Sequence, residues 1–181
     1  MKAIVKTDQK AGAYAVKDVA DPKPGAGEVL VQIKATGLCY TDMSILNGDY
    51  KGRKPVPIPM IMGHEGAGVI AEVGKEVSSL KAGQRVGFEA LSGCGKCYNC
   101  RTGNKNMCTD WNHIGITYDG TFAEYMVIPE ELIHVLPDSV EFADAALLEP
   151  LSLVVRSVEH VQPAIGESAV IIGPGTVGLL H

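Results

Sequence analysis

Four of the chain's five cysteines fall within a single short stretch: Cys94, Cys97, Cys100 and Cys108, in the spacing C-x2-C-x2-C-x7-C. Four thiolates on one loop suit a closed tetrahedral Zn²⁺ site with a structural role, since zinc accepts four soft ligands and imposes little geometry of its own. Gly93, Gly95 and Gly103 let the backbone wrap tightly around such an ion. The same thiols could also make a disulfide framework, an iron–sulfur cluster or a zinc-ribbon module for nucleic acid. Lys96, Arg101 and Lys105 supply local positive charge for the last of these, but the chain carries a net charge of −5. An acidic chain does not favour a phosphate-backbone partner.

A second set of candidate ligands is scattered. Cys39, the remaining cysteine, lies in Gly37-Leu38-Cys39-Tyr40-Thr41-Asp42; His64 and Glu65 lie in Gly63-His64-Glu65-Gly66; Glu149 lies in Leu147-Leu148-Glu149-Pro150-Leu151-Ser152. One thiolate, one imidazole and carboxylates make a donor set for a catalytic zinc that keeps an exchangeable position. Each residue also has an ordinary reading: a buried cysteine, a surface His–Glu pair, and a first-turn helix acid favoured by the macrodipole.

The elements that must position these groups are mostly strands. Lys2–Lys6 is a short β-like run, and Glu28–Ala35 alternates with Val29, Val31, Ile33 and Ala35 on one face. Asp21 to Gly27 is a turn by composition, and residues 47–63 form a long loop with Pro55, Pro57 and Pro59. Gly68–Val73 and Gln84–Phe88 read as strands around a turn at Lys81-Ala82-Gly83, and Phe122–Ile128 and Leu132–Leu136 as two more. The pattern then turns helical. Asp138 to Glu141 offers a helix cap, Pro150 suits a helix start, and Leu151, Val154, Val155 and Val158 form one apolar face. Ser168–Ile172 has the small and β-branched composition of a buried strand.

That strand runs into Gly173-Pro174-Gly175-Thr176-Val177-Gly178, which fits G-x-G-x-x-G, a turn that brings a dinucleotide pyrophosphate to a helix N-terminus. Gly173, Gly175, Thr176, Val177 and Gly178 are the candidate cofactor contacts. The acidic residue expected about 20 positions later, which would read the ribose, lies past His181, so the choice between NAD and NADP stays open.

Taken in order, Gly-Leu-Cys-Tyr-Thr-Asp, Gly-His-Glu-Gly-Ala-Gly-Val-Ile-Ala-Glu-Val-Gly, the four-cysteine lobe and Leu-Leu-Glu-Pro-Leu-Ser resemble the zinc-containing medium-chain dehydrogenase family along essentially the whole chain. The resemblance implies a mainly β fold with some α: a GroES-like catalytic domain over residues 1–150, with the structural zinc lobe at 89–112. Residues 151–181 would then be a linking helix and the first strand and turn of a truncated Rossmann domain. It further implies that Cys39, His64 and Glu65 are catalytic zinc ligands or near neighbours of the ion. Glu149 matches a third-ligand position, whether Glu65 or Glu149 binds directly being left open. Glu-Pro at this place is similar to the sorbitol and threonine dehydrogenase branch. Thr41 matches the hydroxyl that takes the substrate proton, while Ser44 stands where many members carry a histidine relay.

The expected activity is zinc-dependent hydride transfer from a secondary alcohol or polyol to NAD or NADP. A second reading keeps the family and removes the turnover: a zinc-binding fragment whose dinucleotide domain is incomplete. Composition agrees with an ordinary soluble domain, with 46% hydrophobic and 20% charged residues. A cytoplasmic protein is expected, since no signal peptide and no membrane-spanning run is read from the sequence. A small-molecule partner and a homo-oligomer, dimer or tetramer, are expected; nucleic acid and membrane are not.

Overall fold

The computed structural model describes residues 1–181. Its first half is made of β1 (Lys2–Lys6), β2 (Tyr14–Asp18), β3 (Glu28–Thr36), helix α1 (Tyr40–Asn47), β4 (Met60–Ile61), β5 (Gly66–Val73) and β6 (Arg85–Phe88). There follow β7 (Leu91–Ser92), α2 (Tyr98–Arg101), β8 (Asn112–His113), β9 (Tyr125–Pro129), β10 (Ile133–Val135), α3 (Phe142–Ala145), α4 (Leu148–Val161) and α5 (Thr176–Leu180). No helix is long and apolar enough to cross a membrane.

Alternation in β3 dictates the frame. Val29 and Val31 are fully buried, while their neighbours Glu28, Leu30 and Gln32 are half-buried on the other face. This strand sits inside a five-stranded sheet of order β10-β6-β5-β3-β9, all neighbours antiparallel. The apolar faces of its strands close over one core: Val29, Val31, Ile70, Val86, Phe88, Ala90, Ile114, Met126, Ile128 and Leu132. Each such side chain contributes about 1.5–3 kcal/mol on burial. Two register shifts in the β3–β5 pair, at Leu30/Val31 and Ile33/Ala35, bend the strands, as bulges do. The pairing ends with Thr36 opposite Gly66. It therefore delivers the chain leaving β3, Gly37 to Cys39, beside the chain entering β5, His64 and Glu65.

A smaller sheet, β2-β1-β4, and a second apolar cluster flank this frame. The cluster joins Ile45 of α1, Val56, Met60 and Met62 to Cys108, Trp111 and Ile116. It packs the cysteine lobe against the helix that begins at Cys39. Lys6, only 1% exposed, reaches across from β1 and donates from Nζ to the Lys10 and Leu46 carbonyls, the latter in the last turn of α1. A cation at that end suits the helix dipole.

Several sequence expectations need correction. Residues 168–172 form no strand, and Val170 (87% exposed), Ile171 (53%) and Ile172 (95%) are uncovered. A parallel strand draws its hydrogen bonds and its cover from neighbouring strands and crossover helices, and none of the three sheets extends to this segment. The helix with the apolar face is present as α4, but only Val154 of the four face residues is buried; Leu151, Val155 and Val158 are open. The cap expected from Asp138 to Glu141 is not made: Glu141 is the N-cap residue of α3, with no side-chain capping hydrogen bond. The strand expected at Phe122 begins only at Tyr125, and the one expected at Leu132 starts after a 3-10 turn over Glu130–Leu132. Not foreseen were β2 and α1, β4 inside the loop read at 47–63, and β7, α2 and the start of β8 inside residues 89–112. β2 exposes Tyr14 and Val16, and α1 buries only Asp42 and Ile45, so it carries no apolar stripe to reveal it.

Candidate metal centres

The β3–β5 junction brings Cys39, His64 and Glu65 together from 25 residues apart or more. Their ligand atoms, one from each side chain, all lie within 4.8 Å of one another. Backbone contacts hold the junction shut: Gly37 N–H donates to the Glu65 carbonyl at 2.9 Å, and the Thr36 hydroxyl donates to the same oxygen at 2.8 Å. Thr36 is held in turn by the buried Thr121 hydroxyl at 2.6 Å. Gly37 is required by close approach, since a Cβ there would stand 2.1 Å from Glu65 Oε2. The missing side chain is the cradle of the carboxylate.

Asp42 organises the other two ligands. It is 2% exposed. Its Oδ2 accepts from the Cys39 backbone N–H at 3.0 Å, closing the first turn of α1, and its Oδ1 accepts from Gly63 N–H at 3.2 Å. The same Oδ1 stands 3.6 Å from His64 Nδ1, within ion-pair range but too long for a hydrogen bond. His64 Nδ1 is consequently buried without a hydrogen-bond partner. Burial pulls the imidazole down, but Asp42 and Cys39 outweigh it and hold His64 at about 10. The same imidazole holds the Cys39 thiol below its ordinary value, with help from the Thr41 N–H and hydroxyl. Burial pushes Glu65 up, with His64 opposing.

Glu149 stands in the first turn of α4, outside the compact group. Burial raises its carboxyl, with His64 opposing and Glu65 and Asp42 adding to the rise, so it shares the electrostatic field of the group. The glycine turn reaches the same place. A cleft of about 630 Å³ is lined by Cys39, Glu65 and Pro150 on one side and by Ile172, Gly173 and Gly175–Gly178 on the other. Gly173 has φ of 110°, and a Cβ on Gly178 would fall 1.9 Å from the Gly173 carbonyl oxygen, so the turn closes on itself before α5.

The lobe is a closed arrangement by comparison. Cys94, Cys97, Cys100 and Cys108 converge with all Sγ atoms within 4.8 Å, and all five cysteines are free thiols. Backbone N–H groups point at the sulfurs: Cys94 and Asp110 toward Cys108 Sγ (3.4 and 3.3 Å), and Cys100 toward Cys97 Sγ (3.5 Å). Such donors stabilise thiolates. Hydrogen bonds from Lys96 and Cys97 N–H lower Cys94 to about 7, while burial and the neighbouring sulfurs raise Cys100 to about 12. Gly93 is needed for approach, as its Cβ would lie 2.6 Å from Cys100 Sγ. Arg53 pins the lobe from outside, donating to the Cys108 and Asn106 carbonyls with its guanidinium 4.7 Å above the Trp111 ring. Glu89 ties it to the large sheet by pairing with Lys105 and with His134.

Both donor sets fit zinc: four thiolates in one, and one thiol, one imidazole and one carboxylate, their ligand atoms within 4.8 Å, in the other. Sequence reasoning missed Asp42, Thr36 and Thr121. Asp42 had a signal, an acidic residue three places after Cys39, the spacing of a capping box; the threonines had none. It also missed His113, whose ring sits edge-on to His64 with centroids 5.2 Å apart. Burial lowers His113 to about 4, with the Ile114 carbonyl opposing and the His64 charge adding to the fall.

Comparison with known proteins agrees with this architecture. The family described as alcohol dehydrogenase GroES-like domain matches residues 25–138. The chain is 38% identical over 183 residues to an L-threonine 3-dehydrogenase of Legionella pneumophila, covering 99% of this chain and 52% of the relative. It is also 38% identical over 181 residues to a sorbitol dehydrogenase of Halalkalibacterium halodurans, with the same coverage. A zinc-binding dehydrogenase of Sinorhizobium meliloti, solved bound to NADP, superposes with a TM-score of 0.90 at 32% identity, covering 99% of this chain and 51% of that one. The chain spans about half the length of the curated relatives it matches.

Proposed function

The chain belongs to the alcohol dehydrogenase GroES-like family, and on that premise we propose that it supplies the metal-binding catalytic part of an oxidoreductase that moves hydride from a secondary alcohol or polyol to NAD or NADP. The observation that carries the proposal is the convergence of Cys39, His64 and Glu65 within 4.8 Å, beside a cleft that the glycine turn also lines. Zinc bound there would supply Lewis-acid polarisation of a carbinol oxygen, and a bound nicotinamide would supply the hydride acceptor.

The chain's own residues do the rest. Cys39, His64 and Glu65 hold the metal, and Glu149 stands beside them as a further carboxylate for the same ion. Asp42 keeps the His64 imidazole in place and neutralises charge behind it. Thr41, two residues into α1, offers a hydroxyl that donates and accepts at once and so carries the substrate proton away; with Ser44 where many members carry a histidine, water takes the next step of the relay. Gly173, Gly175, Thr176, Val177 and Gly178 form the turn for the dinucleotide pyrophosphate. Cys94, Cys97, Cys100 and Cys108 hold a structural zinc that fixes the lobe against α1. Residues 1–150 act as the catalytic domain, with 151–181 leading into the dinucleotide domain.

Reduced thiols in both clusters suit the cytoplasm. The open apolar residues of α4 and 170–172 favour cover by a homo-oligomer partner or by dinucleotide-domain structure. They also favour a second reading for the 181 residues taken alone: a zinc-binding fragment without turnover. Native mass spectrometry tests both. Two zincs per chain with polyol-dependent reduction of NAD(P)⁺ by the full-length protein supports the enzyme. Two zincs without turnover in the isolated 181 residues supports the fragment. An absence of zinc from Cys39, His64 and Glu65 defeats the catalytic reading.

A further inference from the structure

A second cleft, of about 540 Å³, contains none of the candidate metal ligands and shares no lining residue with the cleft beside Cys39 and Glu65. It opens between the small sheet, β9 and the β7–β8 pair. Val5, Val19, Met60, Ile61, Met126 and Val127 make most of its wall apolar. Ser92 and Asn112, directly opposed across β7 and β8, join Tyr118 as its polar side. An apolar cavity of this size with a few convergent polar groups has the make-up of a small-molecule site.

Tyr118 gives the cleft its chemistry. A bridge pairs it with Ile114, its carbonyl accepts from Gly115 N–H at 2.8 Å, and its ring packs against the main core. Its hydroxyl is buried without a hydrogen-bond partner. Burial pushes the phenol up to about 12, with Ser92 opposing and Glu131 and Glu28 adding to the rise, so it stays a donor. Phenylalanine would serve packing alone, and a buried donor without an acceptor costs stability. Ser92 both acts on this phenol and lines the cleft, and a serine hydroxyl can accept on one side while it donates on the other. Charge narrows the ligand further. No lysine or arginine lines the cleft, whereas Glu28 and Asp119 do, and each already accepts from a backbone N–H, Gly25 at 2.8 Å and Ile61 at 2.9 Å. An anion would meet two carboxylates, and a cation would meet carboxylates already engaged.

We propose that this cleft is a second binding site, for a neutral, mostly apolar small molecule whose hydrogen-bond acceptor, a carbonyl or ether oxygen, faces Ser92 and Tyr118. The bound oxygen completes a chain in which Tyr118 donates to Ser92 Oγ and Ser92 donates to the ligand. The inference does not rest on the reading of the metal centres.

NMR of ¹³C-methyl methionine in the zinc-loaded full-length protein reads the site directly, because Met1, Met60 and Met126 line it while Met43 on α1 and Met107 in the lobe do not. Four probes built on one benzene ring separate the cases: methyl benzoate, propylbenzene, benzoate and benzylammonium. Methyl benzoate is expected to shift the three cleft methyls and leave Met43 and Met107 in place. It is expected to bind about tenfold tighter than propylbenzene, the scale of one hydrogen bond, and tighter than either ion. Ser92→Ala and Tyr118→Phe are each expected to lose that tenfold preference. Tyr118→Phe is also expected to melt no lower than wild type without ligand, since it removes a buried group that has no partner. Cleft methyls indifferent to all four probes overturn the proposal, and so does equal binding of the ester and the hydrocarbon. Tighter binding of benzoate or benzylammonium overturns the neutral ligand. A shift of Met43 in place of the cleft methyls puts the probe at the Cys39 cleft and overturns the second site. Retention of the preference in either folded variant overturns the donor chain, and a lowered melting temperature in such a Tyr118→Phe protein shows that the hydroxyl serves the fold. If one variant fails to fold, the other and the wild-type ranking decide in the same way.

Discussion

The two candidate metal centres are built on opposite plans. The lobe draws four like donors from one stretch of 15 residues, Cys94 to Cys108, and N–H groups of the same loop donate to the Cys97 and Cys108 sulfurs. The second centre takes three unlike ligands from two strand ends and depends on Asp42, Thr36, Thr121 and the vacancy at Gly37 to hold them. A closed site made locally is a staple, whereas a site assembled over a strand junction inherits its shape from the sheet and can leave a position free. The difference teaches where each is vulnerable: the lobe to loss of a ligand, the other centre to changes in residues that never touch the metal.

The largest effect to test is ligand loss in the lobe. Cys100→Ser is expected to remove one zinc and unfold residues 89–112, since a structural zinc carries an apparent ~10–16 kcal/mol of binding free energy. Metal analysis with a thermal melt checks this; the comparison breaks if the lobe keeps its zinc, or if both ions leave together. Next comes Asp42→Asn, expected to weaken zinc at the Cys39 centre by about 10–100-fold while the lobe holds its own ion. Competition with a graded chelator measures it, and an equal loss at both centres denies Asp42 its local role.

A third test uses the extra methyl of Gly37→Ala. Its Cβ would meet Glu65 Oε2, so the carboxylate must move. A cost of about 1–3 kcal/mol and weaker binding at the Cys39 centre only are expected, read by denaturant melts with and without zinc.

pH separates the centres as well. In the metal-free protein His64 is held up at about 10 against an ordinary 6.5. The folded state therefore binds the proton more tightly than the unfolded one. The stability this contributes is fully present below about 6.5 and is lost as pH rises toward 10. Zinc must displace the same proton, so affinity at this centre rises with pH up to about 10. Melts and zinc titrations across that window check both signs, and a flat zinc affinity would show that Asp42 does not control His64. The smallest effect is expected outside both centres. Ile172→Ser on the uncovered segment should change stability of the isolated 181 residues by no more than about 0.5 kcal/mol.

Much of this was legible along the chain, for a physical reason. The cysteine lobe is a local object, and its spacing alone brings its ligands together. β3 announces itself by alternation because one of its faces is buried, β5 was read as a strand flanking the turn at Lys81 to Gly83, and the family resemblance named Cys39, His64 and Glu65 as partners. α1 was not legible: only Asp42 and Ile45 are buried, so the helix leaves no apolar period. Residues 168–172 misled for the converse reason. Their composition is that of a buried strand, but composition only states a demand for cover, and the sheets of this chain do not meet it.

What the sequence determined by itself is therefore the set of donors and the short-range geometry: four thiols on one loop, a thiol after one strand, an imidazole and carboxylate before another, and a glycine turn. What only the tertiary structure decided is which distant groups share a field. The β3–β5 register seats Glu65 against Gly37, the start of α1 turns Asp42 onto both Cys39 and His64, and the return of the chain from the lobe lays His113 on His64. Charge and hydrogen bonding act over a few ångströms of space, and residues tens of positions apart acquire those distances only when the sheet is folded.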